Sequence, residues 1–277
     1  MTSLVKGEVP ATTAPPGQPT VGPGRRFAIR GKRARTYATF LALVGPNVVL
    51  IAAFIYFPLA SNIYYSTLDW RLGAPNARPV GLANYLELFT SPQGLGMWRV
   101  TIIFTVVTVA ASMVLGLLMA LVLDRKLPGR TLARTALFSP YVLSGVGVGL
   151  VWMFIFDPRI GLLGHVLRQF GAASPDWFID PTLALVMVII VYVWKNLGYC
   201  AVVYLAGLQA IPRDLIEAAQ IDGANAPRRF WHIKLPLLGP TVFFLLITSI
   251  LSSMQAFDIL RIMTPTGNGT NTIISEI

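Results

Sequence analysis

Five stretches of the chain, residues 37–60, 101–123, 135–156, 182–206 and 237–260, are apolar over roughly the 20 positions that carry a helix across a bilayer. The stretches 101–123 and 135–156 contain no charged residue at all. A backbone in hydrocarbon must satisfy its own hydrogen bonds, so each stretch predicts a helix even where Val and Ile abound. The alternating segments of about 10 residues that a membrane β-barrel needs are absent. Between the spans, 81–89 and 160–170 are short and amphipathic. Leu163, Val166, Leu167 and Phe170 fall at helical spacing, which lays that segment along the outer interface or against helix ends. The pattern predicts an all-α polytopic membrane protein.

Composition agrees with the pattern. Of 277 residues, 55% are hydrophobic and 12% charged, about half the charge of an ordinary soluble domain. The excess of 22 Lys+Arg over 12 Asp+Glu gives a net charge of +10, and its placement matters more than its size. Seven basic residues precede position 37. Arg125, Lys126, Arg130 and Arg134 follow the second span, and Arg213, Arg228, Arg229 and Lys234 follow the fourth. The segments on the other side hold only Arg71, Arg78, Arg99, Arg159, Arg168 and Arg261. This bias puts the N-terminus in the cytoplasm and accounts for the charge without a nucleic-acid partner. Residues 1–36, with Pro10, Pro15, Pro16, Pro19 and Pro23 followed by a basic cluster, read as a disordered tail. The apolar run after that cluster is too long for a signal peptide. Cys200 has no partner for a disulfide and reads as packing.

The segment 207–236 is longer than a connection between two spans requires. It reads as two short helices around a glycine. Pro212 suits a first turn, Asp214 can cap it, and Glu217 stands three residues on. Gly223 stands where a helix ends in a left-handed residue, Pro227 opens a second helix, and Pro236 closes it. Phe230, Trp231 and Ile233 make this cytoplasmic hairpin partly apolar, so it docks either on a partner or on its own membrane helices.

Glu217-Ala218-Ala219, Asp222-Gly223-Ala224, Phe230, Ile233, Leu235-Pro236 and Pro240 resemble the EAA loop of permease subunits of bacterial binding-protein-dependent ABC importers. Tyr204–Gln209, Trp194–Gly198 and Phe154–Leu163 extend the resemblance to the carbohydrate-uptake, maltose-permease-like branch, and 211–246 is most similar to the glycerol-phosphate permeases. The resemblance implies a type I ABC importer transmembrane domain over 37–277, in the bacterial plasma membrane. Glu217, Ala218, Ala219, Asp222, Gly223 and Ala224 would form a coupling helix seated in a cytoplasmic ATPase. It also implies an ATPase dimer, a second permease subunit and an extracytoplasmic binding protein as partners. No Walker A sequence and no HExxH pattern occurs here, so ATP and Mg would be bound by the partner ATPase, and this chain would be no enzyme.

Polar residues inside spans mark candidate paths for the solute. Lys195, mid-span, costs about 2.5–3.5 kcal/mol on insertion scales. Tyr192, Lys195, Asn196 and Tyr199 share one helical face, and Ser252, Gln255 and Asp258 recur every third residue. Helix packing is an equal account of Tyr192 and Ser252, and Lys195 could instead pair with a partner's carboxylate. The implied solute is carbohydrate-type: a sugar, a polyol or a glycerol phosphate. An ion-coupled transporter would want more carboxylates inside the spans than Asp258 alone. A membrane enzyme would want clustered acids and histidines, whereas His165 and His232 fall on opposite sides. The family's even number of spans leads us to expect a sixth beyond Ile277, with Gly267-Asn268-Gly269 in an outer loop before it.

Overall fold

The computed structural model describes residues 24–70, 77–125, 128–265 and 267–276. The expected tail therefore lies outside the described residues up to position 23, and helix begins at Gly24. The chain divides into two compact units at residues 84 and 85.

In the first unit, α1 (Gly24–Ile51) continues through a π-helical turn (Ala52–Tyr56) into α2 (Phe57–Tyr65). Tyr37–Tyr65 of this rod is long and apolar enough to cross a membrane. The π-turn has a local cause. Pro58 has no N–H, and its ring would strike the carbonyl four residues back, so a wider turn just before it relieves the clash. Two two-residue strands follow, β1 (Leu68–Asp69) and β2 (Arg78–Pro79), paired antiparallel with Leu68 opposite Pro79. The Asn84 amide donates to the carbonyls of Ser66 and Leu68 and ties off the hairpin.

The second unit is built around two long helices. After α3 (Ala83–Thr90), Ser91 caps α4 (Pro92–Leu123) by accepting from the Gly94 N–H at 3.0 Å. Then come α5 (Arg130–Val142), α6 (Gly145–Phe156), α7 (Leu162–Gln169) and α8 (Pro181–Ala210). Asp180 caps α8 through the N–H groups of Thr182 and Leu183. The chain continues with α9 (Arg213–Ile221), α10 (Ala226–Arg229), a second π-turn (Phe230–Lys234), α11 (Leu235–Leu237), α12 (Gly239–Met254), α13 (Asp258–Met263) and α14 (Ile273–Glu276).

Helices α4 and α8 form the most extensive contact. Lipid is as apolar as a leucine side chain, so close packing rather than the hydrophobic effect must hold them. Thr108, Ser112, Gly116 and Ala120 supply it: four small residues at four-residue spacing, all buried. At Gly116 an added Cβ would stand 2.6 Å from that of Cys200. Gly198 plays the same part for α5, because a methyl there would run into the carbonyl of Leu137.

Three expectations need correction. The stretch 135–156 is not one helix: α5 and α6 meet at 99° across Leu143 and Ser144. Pro140 cannot donate to the carbonyl of Ala136, which takes the Ser139 hydroxyl instead at 3.0 Å. The chain then turns extended at Leu143 and Ser144 and leaves the last carbonyls of α5 free of intrahelical partners. Second, the fifth span runs Gly239–Met263 with an interruption after Met254. Third, Pro236 does not close a helix, because the π-turn before it again absorbs the proline and the helical path continues.

Candidate functional site

The hairpin after α8 is shaped by its ends. Pro212, not Asp214, occupies the N-cap of α9, and no side chain bonds there, so the expected capping role of Asp214 is not found. The C-terminal end is as expected. Gly223 has φ +80°, its N–H reaches the Gln220 carbonyl, and the Ala224 N–H reaches that of Ala219. This pair of bonds is a Schellman motif. Arg229 clamps the turn by donating to the Ala224 carbonyl at 2.6 Å, and Asn225 caps α10 through the Arg228 N–H.

One side of α9 rests on its own bundle, where Ile216 packs against the core formed by Leu205, Leu208, Ile211 and Leu238. The other side is free. Glu217, Ala218, Asp222 and Gly223 are exposed, Ala219 and Ala224 half-buried, and Ile221 is 87% exposed. Of the two fates left open for the hairpin, docking on its own membrane helices is realised on one face, and the other face stays exposed. Lys234 pairs with Asp124 at 3.3 Å, joining the second π-turn to the end of α4. It is the one ion pair among the described residues.

Near the middle of α8 the two polar faces converge. Tyr192, Lys195, Asn196, Ser252, Gln255 and Asp258 line one cavity of about 220 Å³. Ser252 lies in the last turn of α12, Gln255 lies in the interruption and Asp258 opens α13, so their three-residue spacing survives without a continuous helix. Tyr199 lies in an adjoining narrow crevice with Thr108, Ser112, Tyr141 and Ser249. Its ring stacks on Tyr141 at 4.8 Å and 16°. Lys195 donates to the Tyr141 carbonyl at 2.8 Å and stands 5.4 Å from the centre of that ring. Asn196 donates to the Tyr192 carbonyl, and Tyr192 meets Phe104 edge-on.

The pattern of the sequence did not mark Tyr141, Thr108, Ser112 or Ser249. The four-residue spacing of small residues in α4 was the available sign for two of them. Among the described residues no group of three or more His, Cys, Asp or Glu can hold a metal ion.

The turn after α6 explains Asp157-Pro158 and Gly161. The Asp157 carboxylate accepts from the N–H groups of Ile160 and Arg159, which hold its pKa below the ordinary aspartate value. A Cβ on Gly161 would collide with the Asp157 carbonyl. Helix α7 then lies with Leu163 against the core and Ile160, Leu162 and Phe170 exposed.

Comparison with known proteins gives matches of three kinds. The family model described as "Binding-protein-dependent transport system inner membrane component" matches residues 112–277. The sn-glycerol-3-phosphate transport system permease protein UgpA of Agrobacterium fabrum is 36% identical over 238 residues, 85% of this chain and 81% of that protein. The UgpA of Brucella abortus biovar 1 is 37% identical over the same shares. Among solved structures, a bacterial ABC transporter involved in the import of the acidic polysaccharide alginate has a similar fold. Its TM-score is 0.73 at 23% identity, covering 91% of this chain and 85% of that one.

Proposed function

Because the chain belongs to the family of inner membrane components of binding-protein-dependent transport systems, we propose that it passes a carbohydrate-type solute through an ATP-driven importer. In this reading an extracytoplasmic binding protein delivers a sugar, a polyol or a glycerol phosphate. The solute crosses between this chain and a second permease subunit, along the surface of Tyr192, Lys195, Asn196, Tyr199, Ser252, Gln255 and Asp258. The glycerol-phosphate option draws on what the two UgpA relatives are named for. ATP and Mg belong to a separate dimer of ATPase subunits, and this chain performs no chemistry of its own. The N-terminus, the 124–130 turn and the hairpin face the cytoplasm, as their basic residues favour.

One observation carries the reading. The hairpin with Glu217, Ala218, Ala219 and the left-handed Gly223 projects an exposed face, while Ile216 and the Asp124–Lys234 pair root it in the helices beneath. A segment built that way transmits a push from a partner to α4 and α8. Neither an ion-coupled carrier nor a membrane enzyme needs it. Affinity purification from the native membrane in mild detergent is the test. An ATPase subunit and a second permease should co-purify in stoichiometric amounts, and solute-loaded binding protein should stimulate ATP hydrolysis. Purification of this chain alone, from membranes that import its solute, would overturn the reading.

A further inference from the structure

Lys195 and Asp258 line the same cavity without forming an ion pair, and each stands on one side of the break between α5 and α6. Lys195 reaches from α8 to the Tyr141 carbonyl in the last turn of α5. That carbonyl lost its intrahelical partner when the chain turned away at Leu143. Asp258 reaches from the other side. A Cβ on Gly145, the first residue of α6, would stand 3.0 Å from the Asp258 Cβ and 3.3 Å from its Oδ2. No side chain from Ser144 caps that helix start. A helix carries partial negative charge at its C-terminal end and partial positive charge at its N-terminal end. The cation therefore sits at the negative end of α5, and the carboxylate at the positive end of α6. Gly145 has no side chain to hold the carboxylate off, and Gly149 lets Ile262 of α13 close in one turn further on.

We propose that Lys195 and Asp258 are positioning residues for solute passage, each holding one end of the α5–α6 break so that the cavity between them keeps its shape. This rests on the reading of that cavity as part of the solute path. An ammonium has three donors and one is spent on Tyr141, so two remain for acceptors of a solute. A solute that draws Lys195 away would loosen α5 at its end, which links occupancy of the cavity to the angle of the break.

The arrangement makes a prediction that a plain ion pair does not. Exchanging the two charges preserves an attraction between the side chains but puts the wrong sign at both helix ends. The test is the distance between spin labels at Leu132→Cys and Leu150→Cys, exposed positions on α5 and α6, in a Cys200→Ala background. The full chain is measured in its co-purified assembly in lipid nanodiscs. Lys195→Arg should keep the wild-type distance distribution. Lys195→Met and Asp258→Asn should each raise the share of splayed distances by up to about tenfold, and the exchanged double variant should be worse than either. A wild-type distribution for Lys195→Met, or its restoration by the exchange, would overturn the proposal. Uptake of sn-glycerol 3-phosphate or maltose, measured in the same variants, separates the two readings. Splayed distances with normal uptake keep the positioning role and remove the cavity from the path. Lost uptake with unchanged distances does the reverse.

Discussion

Single residues at backbone extremes or tight crossings have the most predictable effects. Gly223 is left-handed and a Cβ there would meet nothing within 4 Å, so Gly223→Val acts through backbone strain of about 1–2 kcal/mol, not through a clash. The variant should insert normally and lose uptake and stimulated ATP hydrolysis in proteoliposomes. Glu217→Lys, exposed and unstrained, should show the same loss. Gly198 is the opposite case, with ordinary backbone but no room. Gly198→Ala should force α5 and α8 apart, cost about 1–3 kcal/mol and lower the melting temperature of the detergent-purified protein. At Asp157 the sign follows from its two backbone donors. Its folded pKa is depressed, so its stabilisation of the turn is full above the ordinary aspartate value and is lost as pH falls through the lower one. An NMR titration of that carboxyl should have its midpoint below that of an aspartate in a short peptide.

Elements show how prolines are accommodated in this bundle. Pro58 and Pro236 each follow a five-residue π-turn and the helix goes on, whereas Pro140 precedes a 99° break. The composition of the segments does not separate these outcomes. Asp180, Gly223 and the small residues of α4 do announce their roles, because caps and close crossings depend on residues within one turn. Lys234 and Asp124 are 110 positions apart in sequence, and only the packing of the π-turn on the end of α4 makes them partners. Half-buried pairs of this kind contribute at most about 1 kcal/mol of stability, so breaking one leaves the fold intact. Asp124→Lys or Lys234→Asp should reduce uptake while leaving the amount of assembled complex unchanged, and the exchanged pair should recover most of it. Failure of the exchange to recover uptake would limit the pair to a local tether.

For the whole molecule, orientation is the quantity that charge controls. Cysteines at Arg213 and Arg168, on the long basic loop and the opposite side, should differ in labelling of intact cells. The first should react with a maleimide only after permeabilisation and the second without it. Reversed labelling would invert the topology and remove the hairpin from the reach of a cytoplasmic ATPase.

Local and periodic information was legible in the sequence. Runs of about 20 apolar residues, i to i+4 faces and a glycine after Asp222 depend only on neighbours within a few turns. They yielded the helices, the hairpin and the six residues that share the cavity. The break at Leu143, the pairing of Lys195 with the Tyr141 carbonyl and the stacking of Tyr141 on Tyr199 were decided by the tertiary structure. The reason is physical. Whether a proline bends a helix or is absorbed depends on whether other groups take over the carbonyls it strands. The carbonyl of Ala136 is taken locally by Ser139, but that of Tyr141 is taken by Lys195 of α8, 54 residues away.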